Sequence, residues 1–211
     1  MMSYNSTTTI NQSKLIIVEG KDDHLFFNEL CKYLDINDYQ IIDHDGITKY
    51  RNKLKAIIDT TGFRSNVTSL GIIRDADSDA NSTFQSVQDA LRYCNLPVPP
   101  RPLIPILGTA NNPKINILIL PPNNTHGILE DVLLTSIQND PVTPCVDQYF
   151  LCVARARVRN SLPIHLSKAK IQVFLASRRE CWLSLGVAAQ QNYWTFTDVA
   201  FNDLRNFLLS L

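Results

Sequence analysis

Three acidic clusters fall just after apolar runs in this chain of 211 residues. Glu19 closes the first run in "LIIVEGKDD". Asp75, Asp77 and Asp79 make up "DADSD" behind a second, and Glu130 and Asp131 begin the helix, "LEDVLL", that follows a further apolar strand, "INILIL", and its polar loop. Clustered carboxylates repel one another and resist joint ionisation unless a cation compensates them. Hard divalent ions such as Mg²⁺ take oxygen ligands. The chemistry open to these residues is therefore a Mg²⁺ or Mn²⁺ site built from Glu19, Asp75 and Asp77, with Asp79 and Glu130 as further candidate ligands.

The residues after Glu19 suit an anion. Gly20 lets the backbone turn at the end of a strand, and the free amides of the next helix can face a phosphate oxygen. Lys21 can point at the same anion. Asp22 and Asp23 read as caps of that helix. A basic stretch lies far downstream: 151–180 holds Arg155, Arg157, Arg159, Lys168, Lys170, Arg178 and Arg179 against Glu180 alone, a charge of +6. The whole chain is neutral, so the remainder carries −6. A basic rim beside an acidic pocket suits a metal site acting on a polyanion. A solvated helical face explains the same charges.

Positioning these acids requires strands that end beside one another. Lys14–Val18 reads as a buried strand, followed by a helix carrying Leu25, Phe26, Leu30 and Leu34. Tyr39–Ile42 is a second strand, ended by "DHDG", and Tyr50–Asp59 a helix. Val67–Arg74 is a third strand, and Ser82 caps the helix carrying Phe84, Val87 and Leu91. This alternation indicates an α/β fold with a mostly parallel central sheet flanked by helices. Ligands of such sheets bind outside the carboxyl ends of the strands, where these acids fall. Five prolines between Pro97 and Pro105 make a rigid loop with one short strand near Leu103–Leu107. Ile115–Leu120 is a further strand, and Ile128–Ile137 a short helix. Val146–Arg159, Ser167–Arg178 and Asp198–Leu209 read as helices. The expected organisation is a flexible tail over 1–13, an α/β domain over 14–140 and a C-terminal helical extension over 141–211 packed on it.

Composition narrows the class. With 45% hydrophobic and 19% charged residues the chain is ordinary for a globular protein. No apolar run reaches the ~20 residues of a membrane span, and "MMSYNSTTTINQS" lacks the apolar middle of a signal peptide, so a cytoplasmic, membrane-free protein is expected. Five scattered cysteines include no Cys-x-x-Cys pair, and four histidines give no zinc spacing.

A hydrophobic strand running into "VEGKDD", a later strand ending in "DADSD", and the α/β order between them resemble the TOPRIM domain. "PNNTHGILEDVLL" and "HLSKAKIQVFLASR" are more similar to an uncharacterised TOPRIM-like family, of the domain of unknown function 3226 type. That family is related to the TOPRIM domain of the overcoming-lysogenization-defect nucleases. The resemblance spans roughly Lys14 to Arg178. It implies that Glu19 is a metal ligand or general acid/base, that Asp75 and Asp77 hold Mg²⁺, and that Glu130 completes the site. It also implies that Lys168 or Lys170 faces the scissile phosphate. Arg74 departs from the pattern, in which an apolar residue precedes the aspartate pair; pairing of Arg74 with a site carboxylate is expected. The length leaves no room for the extra domains of a topoisomerase, and no cysteine cluster provides a primase's zinc module.

The expectation is thus a stand-alone metal-dependent phosphodiester hydrolase acting on nucleic acid, DNA or RNA. Arg155 and Arg159, four apart and so on one helical face, would join Gly20 and Lys21 in binding phosphate. A second expectation is a non-catalytic metal- or nucleic-acid-binding subunit serving a separate ATPase partner, since the chain has no P-loop. Self-association into a homo-oligomer stays open. A third is a haloacid-dehalogenase-like phosphatase, although Asp79 stands where such enzymes want Thr or Val.

Overall fold

The computed structural model describes residues 9–43, 50–156 and 163–211. Four strands, β1 (Lys14–Val18), β2 (Tyr39–Asp43), β3 (Ser69–Asp75) and β4 (Lys114–Leu120), form one sheet in the order β2-β1-β3-β4. All three pairings are parallel. The register sets Ile17 of β1 beside Ile72 of β3, so Glu19, just beyond β1, lies level with the end of β3.

Parallel strands are buried on both faces, and period-2 alternation splits their side chains between two cores. Leu15 and Ile17 of β1, Leu70 and Ile72 of β3, and Ile115, Ile117 and Ile119 of β4 pack on one side. There they meet α2 (Tyr50–Ile58), the short α3 (Phe63–Asn66) and α4 (Ala80–Tyr93). Ile16, Val18, Ile73, Leu118 and Leu120 face the other core. That core is covered by α1 (Lys21–Tyr33), α5 (Leu129–Ser136), α6 (Thr143–Ala156), α7 (Leu166–Ala176), α8 (Leu185–Gln190) and α9 (Asn202–Leu209), the last entered through a 3-10 turn at Val199–Phe201. The C-terminal helices thus share their core with β1, β3 and β4. Among the described residues no helix is long and apolar enough to cross a membrane.

The structure differs from the sequence expectation in several places. Asp79 caps α4, accepting from Asn81 N (2.9 Å) and Ser82 Oγ (2.6 Å); Ser82 itself lies inside the helix. Leu103–Leu107 forms isolated bridges, Arg101 with Ile104 and Ile106 with Ile115, and no strand. Flanking prolines lack the N–H groups that a ladder needs. Val67 caps the end of α3, so β3 begins at Ser69. α6 is described to Ala156; Arg157 and Arg159 lie outside the described residues.

Candidate active site

A cavity of about 440 Å³ opens beyond the carboxyl ends of β1 and β3. Glu19, Gly20 and Lys21 line it from the turn after β1, and Asp75 from the end of β3. Glu130 enters from the first turn of α5 and Lys168 from the first turn of α7. The sequence points to all six. Asp22, Asp23 and Leu185 complete the lining.

Gly20 is the N-cap of α1, with an extended backbone that places Glu19 outside the helix. Its N–H donates to Asp23 Oδ2 (3.0 Å), so Asp23 supports the helix start as expected of a cap. The same carboxylate faces the cavity. Asp22 bonds elsewhere: its Oδ1 accepts from Ser184 Oγ (2.5 Å) and Gly186 N (3.2 Å), which draws the start of α8 over the site. Gly186 permits that approach, because a Cβ there would lie 2.7 Å from the Asp22 carbonyl oxygen.

Glu19 and Asp75 meet directly. Glu19 Oε1 accepts from the Asp75 backbone N–H (3.3 Å) and from Arg74 Nε. Arg74 is 2% exposed, and its guanidinium lies 4.6 Å from the Tyr50 ring centre. Its Nη1 has no hydrogen-bond partner among the described residues. Arg74 therefore serves as a buried counter-cation to Glu19, as its place in the sequence suggested. Asp75 Oδ1 accepts from Leu129 N (3.0 Å), which ties β3 to the start of α5. At that start, Asp131 accepts from Ile128 N (2.9 Å) and from Ser167 Oγ of α7.

Asp77 is exposed and does not line the cavity, although it is close enough to feel the charges of Glu19 and Lys168. Its backbone adopts φ 50°, and it exchanges hydrogen bonds with Gly127 (2.8 and 2.9 Å). Asp79 is exposed and is engaged by α4. Lys168 and Lys170 part company: Lys168 lines the cavity, whereas Lys170 Nζ bonds Asp147 Oδ1 of α6 at 2.6 Å. Arg155 is exposed on the last turn of α6 and does not line the cavity.

The acids disturb one another. Burial, reinforced by the charges of Asp23, Glu19 and Glu130, holds Asp75 well above the ordinary carboxylate range, against the Leu129 N–H. Burial raises Asp23 to about 7 despite the bond from Gly20, with Glu19, Glu130 and Asp22 adding to the rise. Burial also lifts Glu130, with Lys168 pulling the other way. Partial burial and the charge of Glu19 raise Asp77. Asp79 runs in the opposite direction, lowered by the Ser82 and Asn81 bonds of its cap.

Among the described residues no three His, Cys, Asp or Glu side chains are grouped to hold a metal ion as they stand. Glu19 leans on Arg74, Asp75 on Leu129 and Asp23 on Gly20. The donor chemistry nevertheless fits a hard divalent cation: all are oxygen ligands, and burial and mutual repulsion disfavour the charged forms of Asp75, Asp23 and Glu130, a strain that a cation relieves.

A larger groove of about 820 Å³ lies between α2 and α4, lined by Arg51, Gln85 and Asp89 among others. Its one acid has no carboxylate neighbour in the lining, so the concentration of charge belongs to the smaller cavity.

The sequence matches the family described as "Protein of unknown function (DUF3226)" over residues 13–211. No curated protein matches. Solved structures of the C-terminal region of the Xanthomonas campestris pv. campestris OLD protein are similar at low identity. The one phased with iodine shares 12% identity at a TM-score of 0.42, covering 94% of this chain and 97% of that one. The one phased with platinum shares 12% at 0.39, covering 95% and 84%. Likeness at that level leaves the functional reading to the site.

Proposed function

The chain belongs to the DUF3226 family, and from the site it carries we propose that it is a divalent-metal-dependent phosphodiester hydrolase acting on nucleic acid. The observation that carries this reading is one cavity in which Glu19, Asp75, Asp23 and Glu130 converge beside Lys168. The TOPRIM resemblance of "VEGKDD" and "DADSD" points the same way.

Glu19, Asp75 and Glu130 would hold a Mg²⁺ or Mn²⁺ ion, with Asp77 as a further ligand from outside the cavity lining. Such an ion, when bound, lowers the pKa of a water and polarises a phosphoryl oxygen. The chain's own residues do the rest. Lys168 and Lys21 neutralise a phosphate that must approach a cluster of acids. Gly20 presents backbone without a side chain at the cavity wall. Asp23 lines the cavity and, through its bond from the Gly20 N–H, holds the start of α1 against it. The Asp22 bonds to Ser184 and Gly186 keep the α8 wall in place and so limit water.

A second reading is a metal- or nucleic-acid-binding subunit that works with a separate ATPase. The Arg74–Glu19 pair favours it, because a guanidinium already occupies the glutamate. One experiment separates the two: incubation of the purified chain with single- and double-stranded DNA and RNA in Mg²⁺, Mn²⁺ or EDTA. Cleavage with metal that is lost in Asp75→Asn supports the hydrolase. Binding without cleavage under every condition supports the subunit.

A further inference from the structure

A second hollow of about 470 Å³ adjoins the acidic cavity. The two share Asp22, Glu130, Lys168 and Leu185, so they form one continuous cleft. The chemistry changes along it. The inner half is walled by carboxylates. The outer half is floored by Ile171 and Leu175 of α7 and edged by Gln172 and Trp182. Trp182 is 76% exposed, whereas Trp194 is 3% exposed. A large indole left in water at the mouth of a polar cleft stands apart from the usual burial of tryptophan. Arg179 is exposed three residues before it, and Lys168 stands where the two halves join.

We propose that the outer half is a nucleobase subsite, in which Trp182 stacks an unpaired base of a single strand whose backbone passes Lys168 into the acidic cavity. This rests on the phosphodiester reading above and narrows its substrate to unpaired nucleic acid. Three features support it. An indole face accepts any base by stacking, while cations track the backbone. A paired base inside a duplex has no free face to offer. Gln172 supplies a hydrogen-bonding group at the edge of the floor made by Ile171 and Leu175, the mixture that small-ligand subsites use.

The test uses the full chain in EDTA, so that binding is read without cleavage. A short thymidine oligomer, a duplex of the same length and thymidine monophosphate are each titrated against tryptophan emission and, with a labelled strand, against anisotropy. Quenching by the single strand, absent in Trp182→Phe, is expected. Trp182→Phe should keep most of the affinity, and Trp182→Ala should lose about 5- to 150-fold. Equal quenching by the duplex overturns the proposal. So does unchanged affinity in Trp182→Ala; if Lys168→Ala loses affinity in the same assay, the phosphodiester reading survives alone. Monophosphate binding as tightly as the strand replaces the strand subsite with a mononucleotide site. A wild-type dimer that Trp182→Ala makes monomeric assigns the indole to a second copy of the chain and overturns the proposal. Failure of the wild type to bind any nucleic acid overturns the proposal, and the phosphodiester reading is then decided separately by the cleavage assay in Mg²⁺ or Mn²⁺.

Discussion

Arg74, 2% exposed at the penultimate position of β3, is joined through Nε to Oε1 of Glu19, the residue that follows the neighbouring strand β1. An internal cation thus takes one charge out of the acidic cluster. Removing one member of a buried pair leaves the other uncompensated, at a cost of about 3–5 kcal/mol.

Arg74→Met is therefore expected to lower the stability of the metal-free protein by about that amount. Glu19 is then released to a metal ion, so Mn²⁺ should raise the melting temperature more in the variant than in the wild type. Thermal melts with EDTA and with Mn²⁺ measure both. An equal metal shift in the two proteins would remove Glu19 from the ligand set.

The raised acids set a pH dependence. The unfolded chain releases the Asp23 proton near 3.8, whereas the folded protein keeps it until about 7. Between those values the folded state binds more protons, so metal-free stability falls as pH rises through that window. Asp75 shifts in the same direction and adds to the slope. Asp75→Asn keeps an acceptor for Leu129 N and loses the charge. It should melt higher than wild type at neutral pH, by about 2–4 °C per kcal/mol gained, and should show a flatter pH profile. A melting temperature that climbs from acid to neutral pH in EDTA would contradict this.

Loss of metal-dependent cleavage is expected in Asp75→Asn and in Asp77→Asn. Asparagine is the better test at position 77, where φ is 50°, because alanine there would add about 1–2 kcal/mol of backbone strain. Folded, inactive variants by circular dichroism and nuclease assay are the expected outcome.

Lys168 and Lys170 should separate cleanly. Lys168→Ala removes the cation at the cavity and is expected to weaken binding and to reduce its dependence on salt by roughly one phosphate contact. Lys170→Ala breaks a surface pair with Asp147 and should cost about 0–1 kcal/mol of stability with no loss of binding. Titrations at two salt concentrations decide; equal effects would return both lysines to ordinary surface.

Gly186→Ala tests the wall. A methyl group there meets the Asp22 carbonyl oxygen at 2.7 Å and Leu25 Cβ at 2.6 Å, so α8 must shift off α1. Overpacking of that kind costs about 1–3 kcal/mol. Gln190→Ala, exposed on the same helix, should be neutral in the same melts.

Local pattern carried most of the frame. "KLIIV" and "KINILIL" are apolar runs that suit a sheet buried on both faces, and they announced β1 and β4; "YQIID", half-buried at the sheet edge, announced β2 by its short apolar centre. The acids at the strand ends were visible for the same reason. Asp75 and Asp79 look alike in "DADSD", yet one enters the cavity and the other caps α4. Sequence spacing does not reveal where a helix will begin within such a run. α8 was missed because six residues, "LGVAAQ", give too short a period to read. Asp23 was read as a cap; Gly20 takes that position and Asp23, inside the first turn, accepts its N–H, while its face toward the cavity follows from how closely α1 packs beside Asp75. Trp182 carries no local signal, since its importance comes from the hollow beside it.

The bonds from Asp22 to Ser184 and Gly186 join residues 162 and 164 positions apart. A ribosome working at about 5–20 residues per second needs roughly 10–30 s to cross that interval. β1 to β4 can therefore pair on the nascent chain while the acidic cavity still lacks the wall that α8 provides. The face of the sheet that packs on α2 and α4 can form early, and the opposite face and the cleft are finished late. A chain interrupted between Leu120 and Ser184 would carry the sheet and its carboxylates open to water, with no partner for Asp22.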